Sequence, residues 1–288
     1  MTFELGIFFA FGAMIFWGLG DFLIQRTARK IGALETLLWI GIVGSLGLFP
    51  FVINDLHLLL DASNLFLILG LGVLGFVGSL MSFKAFEQGK ISVVDMILVI
   101  ELPIIMVLSF IFLKEVPSFV QILLILFSLI GIILLIATES FGNFRTKLEK
   151  GVLLAIIAAL FLGGYTFLTG FSSKNITPML ALWGPWFLCT IIGVFFMVFR
   201  KKKSVFFRDA MKIKWLLIST CIVDILAWVF YVFAVKNNEV SIITAITESY
   251  PVIALGLGVW INRERILFHQ WLGAGLALAC SILLSLTL

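Results

Sequence analysis

Charge is what this chain has least of. Asp, Glu, Lys and Arg together make up 12% of its 288 residues, 62% are hydrophobic, and the mean hydropathy is +1.20. A soluble domain carries about a quarter charged residues, so the composition excludes one and points to a membrane protein. The formal net charge of +4 is therefore no sign of a nucleic-acid partner. Cysteine is scarce too. Cys189, Cys221 and Cys280 all lie within apolar stretches, with no CxxC and no histidine beside them. Neither a disulfide framework nor a metal site is supported, and no cofactor is expected. His57 and His269 fall in or beside loops and read as interfacial. There is no HExxH, no GxSxG and no GxxxxGK[ST], so nothing marks a membrane-embedded enzyme or a nucleotide-driven pump. No basic n-region precedes the first apolar segment and no AxA-like site follows it, so a cleaved signal peptide is not expected.

What fills the chain is long apolar runs. A membrane crossing needs about 20 predominantly apolar residues. Ten such spans are predicted, at 5–25, 36–53, 65–83, 92–113, 119–137, 152–171, 178–199, 215–235, 241–261 and 267–287, the second being the shortest. Together they leave no room for a soluble domain. The chain also repeats itself: "AFEQGKIS…ELPIIMVLSFIFLKEVPSFVQ" lies over "AVKNNEVS…ESYPVIALGLGVWINRERILFHQ". Ala85 matches Ala234, Ser92 matches Ser241, Glu115 matches Glu264 and Gln121 matches Gln270, and Pro103 meets Pro251 after a one-residue slip. The expected division is a first repeat at 1–138, a linker at 139–150 and a second repeat at 151–288. Five spans per half is an odd number, so the second copy enters the membrane from the opposite side. The expected fold class is thus an all-α polytopic membrane protein of two five-helix inverted-topology repeats, an architecture associated with secondary transporters.

The loops bear on the same point. Those after odd-numbered spans hold 17 of the 20 Lys and Arg, and those after even-numbered spans hold Lys114, Lys174 and Lys236. The loop after span 2 has no basic residue, while its counterpart after span 7 carries "RKKK". Positive-inside bias puts the odd loops in the cytoplasm and both termini outside. The expected location is the plasma (inner) membrane of a prokaryote.

Two copies of five helices, each closing with Pro…Glu…Gln around the fourth and fifth spans, resemble the drug/metabolite transporter superfamily, and within it the ten-helix EamA-type exporters. "FWGLGDF" in span 1 is similar to the Trp-Gly that opens many members. "LKEVPSFVQ" and "NRERILFHQWLGAG" look like the family's Glu-then-Gln-Gly signature, although the first copy lacks the glycine that the second has at Gly273. The resemblance implies that helices 1, 3, 4, 6, 8 and 9 line a central cavity and that 5 and 10 pack outside it. It implies export of amino acids, related metabolites or drugs.

Several residues stand out against the apolar background. Glu101 and Glu248 lie mid-span, two and three residues before Pro103 and Pro251. Proline removes a backbone hydrogen bond and bends a helix. An acid at the bilayer centre costs about 3 kcal/mol or more, which makes it a candidate binding or proton site. The bland alternative is a protonated carboxyl bonded to a neighbour such as Thr244 or Thr247. Asp224 shares a helix face with Trp228 and Tyr231, at i+4 and i+7, and an acid flanked by aromatics suits an amino group or organic cation. The alternative is an aromatic stripe packed on another helix. Asp21, four residues after Trp17, repeats that spacing, with Arg26 and Arg29 close enough to pair with it at the interface. Asp95 fits a capping box with Ser92. Glu115 and Glu264 read as structural, each beside a basic neighbour. Gly75/Ser79, Gly78/Ser82 and Gly273/Ala277/Ser281 form small-residue seams for packing or a homodimer.

The expected function is a secondary transporter that moves a small organic solute, cationic or zwitterionic, through a cavity between the repeats by alternating access, with room for a coupled proton. An uncoupled facilitator and a lipid flippase on the same fold are the alternatives.

Overall fold

The computed structural model describes residues 3–89, 91–136, 151–199, 203–262, 268–285 and 287. It is built from helices. The first half holds α1 (Phe3–Ile31), α2 (Ala33–Val52), α3 (Ala62–Gln88), α4 (Ile91–Leu98), α5 (Glu101–Leu108) and α6 (Phe119–Ile136). The second holds α7 (Val152–Asn175), α8 (Pro178–Phe199), α9 (Lys203–Lys212), α10 (Lys214–Val235), α11 (Val240–Thr247), α12 (Pro251–Asn262) and α13 (Phe268–Ser285). The expected linker at 139–150 and Glu264 lie outside the described residues.

Among the described residues, six helices, α1, α2, α3, α7, α8 and α10, are long and apolar enough to cross a membrane. The second predicted span is a full one, at 20 residues. Large apolar side chains such as Phe66, Phe119 and Trp215 point outward, more than two-thirds exposed. Such a surface is stable only in hydrocarbon. The protein is a multi-pass integral membrane protein.

Local chemistry sets the ends. Gly32, at φ 103°, stops α1 and its N–H returns to the Ala28 carbonyl at 2.8 Å, the left-handed stop that glycine favours. Asp61 caps α3 by accepting from Ser63 N at 2.8 Å. In place of the continuous fourth and ninth spans expected from hydropathy, the chain breaks twice. Residues 99–100 separate α4 from α5, and residues 248–250 separate α11 from α12. Each break is next to a proline, where the ladder lacks a donor. The freed backbone groups close on themselves: Ile100 N bonds Ile97 O at 3.1 Å, and Tyr250 N bonds Thr247 O at 3.0 Å.

The halves interlock by exchange. α1 packs along α10, and α7 packs along α3; α2 pairs with α8, and α6 with α13. Matching α1, α2, α3 and α6 to α7, α8, α10 and α13 maps this set of pairings onto itself. Gly18 lets α1 approach the second break, since a Cβ there would come within 2.8 Å of the Tyr250 carbonyl. The short helix α9 was read from sequence as a charged loop; its Phe206 stacks on Trp39 of α2 at 4.9 Å.

Candidate functional site

Between the halves lies a cavity of about 850 Å³, its open mouth included. Asp21 from α1, Glu101 from the head of α5, Asp224 from α10 and Glu248 from the second break all reach its wall. Thus the four acids that the sequence spreads over more than 220 residues converge. No described residue on that wall is Lys, Arg or His.

The four differ in their provision. Glu101 is 7% exposed and accepts from the Thr166 hydroxyl at 3.5 Å. Glu248 is 3% exposed, and its Oε2 has no hydrogen-bond partner. The hydroxyls expected to serve it are engaged elsewhere: Thr247 donates to the Thr244 carbonyl at 3.1 Å, and Thr244 shares a hydrogen with Tyr231 at 3.2 Å. Asp224 is 8% exposed. Asp21 sits at the wall with Asp95 beside it, while Arg29 donates to the Gly89 carbonyl at 2.6 Å and Arg26 lies over the Phe22 ring. Asp95 is buried and turned to Asp21; the Ser92 side chain, its expected capping partner, lies outside the described residues.

Aromatic rings complete the wall. Trp17 and Trp228 meet edge to face at 5.1 Å, Tyr165 meets Trp228 likewise at 5.1 Å, and Tyr250 lies 6.3 Å from Trp17. Tyr231, expected to share the wall with Asp224 and Trp228, is instead wholly buried behind it, because α11 packs over that turn of α10. Its hydroxyl donates at 3.2 Å to the carbonyl of Thr166, the residue whose side-chain hydroxyl holds Glu101. Pro103 and Pro251 stay off the wall and mark the breaks that carry the two glutamates.

Sequence reasoning missed Tyr165, Trp186 and Tyr250 on the wall. A signal existed: the chain has only three tyrosines against 30 phenylalanines, and all three gather here. The sequence assigns the seam on α3 to packing or a homodimer. Gly75 does admit the Tyr165 ring, at 2.9 Å from a Cβ, but Gly75, Ser79 and Ser82 also form cavity wall. The resemblance left out the second and seventh spans, yet Leu37 and Ile40 of α2 and Trp186 and Cys189 of α8 line it as well.

Glu115 makes structural contacts, and its cationic partner is Lys174 of the other half. Its Oε1 accepts from Lys174 Nζ and from Val240 N, both at 3.0 Å, and its Oε2 accepts from Ser241 N at 3.0 Å and Ser241 Oγ at 2.9 Å. A carboxylate of the first half thus caps α11 of the second. Burial acts to raise its pKa, but the Ser241 and Val240 N–H groups and Lys174 together hold it below the ordinary 4.5.

Paired repeats, broken helices and an acid-lined cavity between the halves bring the sequence match into focus: it fits the EamA-like transporter family over residues 4–137 and 149–286. The chain belongs to that family. EamA-like proteins are membrane transporters, which accounts for a cavity in the middle of a hydrocarbon-facing bundle. No curated protein matches the chain. One solved crystal structure superposes with a TM-score of 0.71 over 98% of this chain and 96% of that one, at 15% identity. At that identity the likeness speaks for the fold alone.

Proposed function

We propose that this EamA-like protein is a secondary transporter that carries a small, positively charged or zwitterionic organic solute by alternating access. The observation that carries the reading is the central cavity with four carboxyls and no cation on its described wall. Isolated carboxylates in a low-dielectric interior are unfavourable, so their negative charge must be met by a proton or by cargo. Both meet the need in turn if the protein exchanges one for the other. The side-by-side placing of Asp21 and Asp95 supports a coupled proton, since adjacent carboxyls share a proton more readily than they carry two charges.

The exchange-related packing supports ten crossings as two inverted repeats, with each broken pair, α4–α5 and α11–α12, making one crossing. Such discontinuous helices at the bilayer midplane are where transporters of this kind place their sites. The cavity wall reaches toward Ile24, Leu37 and Phe83, near the ends of α1, α2 and α3 that meet the Lys/Arg-rich loops. The opposite side is tied by Glu115 to α11 and by Thr177 to Asp55 at 2.6 Å. With the basic loops cytoplasmic and both termini outside, the cavity loads from the cytoplasm of a prokaryotic cell and the direction is export.

Reconstitution tests this. Counterflow of a cationic solute into liposomes should be abolished by Glu101→Gln with Glu248→Gln, and an imposed pH gradient should drive it. Uptake that ignores the gradient leaves an uncoupled facilitator with the same cavity. Uptake unaffected by the double substitution refutes the site.

A further inference from the structure

Resting on the transport reading of this cavity, we infer that its cargo is an organic cation without a carboxylate, an amine or ammonium borne on a planar or alkyl body, and that amino acids are excluded. Two features of the wall carry this: what it offers to a positive charge and what it withholds from a negative one.

A carrier that binds a zwitterion in a split helix commonly aims a half-helix N-terminus at the carboxylate, whose oxygens then accept free backbone N–H groups. The second break closes its donors on itself, and the first presents an acid at its helix start. At the second, α12 opens on Pro251, which has no N–H. The donors around it are turned inward: Ser249 N to Ile246 O at 3.2 Å, Tyr250 N to Thr247 O at 3.0 Å, Val252 N to Ser249 O at 3.1 Å and Ile253 N to Tyr250 O at 2.9 Å. At the first, α5 opens on Glu101, itself an acid, followed by Leu102, whose N–H bonds Val99 O at 3.0 Å, and then by Pro103. With no Lys, Arg or His on the described wall, a bound carboxylate would find no positive side chain there and would meet four acids, each repelling it whenever ionised. Like charges at short range disfavour binding strongly.

A cation finds the reverse. Glu248 Oε2 is buried and unpartnered beside the cavity. Asp224 lies on the same wall as Trp17, Trp228 and Tyr165, whose rings attract a cation through their faces. An ammonium satisfies acid and ring at once; a neutral solute satisfies only the ring.

The test uses ligand sets that differ in the carboxylate alone: tyramine, tyrosine methyl ester and tyrosine, and cadaverine against lysine. Binding to the purified protein in liposomes is followed through tryptophan fluorescence, and transport through counterflow. Tyramine and the methyl ester should bind at least ten-fold tighter than tyrosine, and cadaverine at least ten-fold tighter than lysine. The ester is one methyl group larger than the amino acid and lacks its negative charge. Glu248→Gln should weaken the ester at least ten-fold, and the same variant should fold normally by thermal unfolding. Tyrosine binding as tightly as its methyl ester overturns the inference and leaves the transport reading standing. No binding and no counterflow by any member of the sets overturns both.

Discussion

Glu248 and Tyr231 show how two buried polar side chains come to differ in kind. Tyr231 has its hydroxyl bonded to Thr166 and Thr244 and no contact with solvent. Removing it with Tyr231→Phe should lower stability by about 1 kcal/mol, read as a drop of a few degrees in the unfolding midpoint in detergent. Glu248 has no such settlement. Glu248→Gln should therefore leave stability within about 0.5 kcal/mol of the parent, as substitutions outside a bonded network do, and cut transport at least ten-fold; a variant that unfolds early but still transports would reverse these roles. The acids were legible in the sequence because hydrocarbon gives them contrast. Helical spacing also put Asp224, Trp228 and Tyr231 on one face. It did not say what covers that face, and α11 covers its Tyr231 end. Trp186 offered no contrast in a chain that is 14% aromatic.

At the scale of elements, the informative one is α11. It is eight residues long, about 12 Å, and joins two different chemistries. Its first N–H groups are capped from the other half by Glu115, and its last turn delivers Glu248 to the cavity. Glu115→Ala leaves the Val240 and Ser241 N–H groups without their acceptor, and loss of a cap costs about 1 kcal/mol or more. The pH dependence has a definite sign. The folded-state pKa of Glu115 is lowered from the ordinary 4.5, so its contribution is fully present above about pH 4.5 and is lost as pH falls through the folded value. Unfolding midpoints of the parent should hold down to about pH 5 and then fall, and those of Glu115→Ala should fall less steeply. Hydropathy gave the positions of these elements well. It could not show the two breaks, because a window of about 20 residues averages over a single proline and a single acid. Nor could it show α9, whose apolar residues are outnumbered by the charges around them.

Across the whole molecule, exchange of the halves leaves the pairings of α1 with α10, α3 with α7, α2 with α8 and α6 with α13 unchanged as a set. With the five crossings per half proposed above, the exchange axis would lie in the membrane plane. The proposed transport cycle requires a second conformation, in which each half would take up the arrangement now held by the other. In the conformation seen, the side bearing Lys114, Lys174 and Lys236 is tied across the halves, and the cavity wall extends the other way, past Ser79 and Ser82. In that cycle the tie at Glu115 is a contact that the alternate conformation would have to give up. Weakening it should shift the population toward that conformation, and a ligand-free equilibrium responds to the difference in free energy alone. A cysteine at Ser79 in a background without Cys189, Cys221 and Cys280 reports this. It should react with an impermeant maleimide in inside-out vesicles and much more slowly in right-side-out ones. Adding Glu115→Gln should raise the right-side-out rate several-fold and lower the inside-out rate. Equal labelling from both sides before and after the substitution would mean that the halves do not exchange, and the cavity would then be a fixed chamber with no carrier cycle.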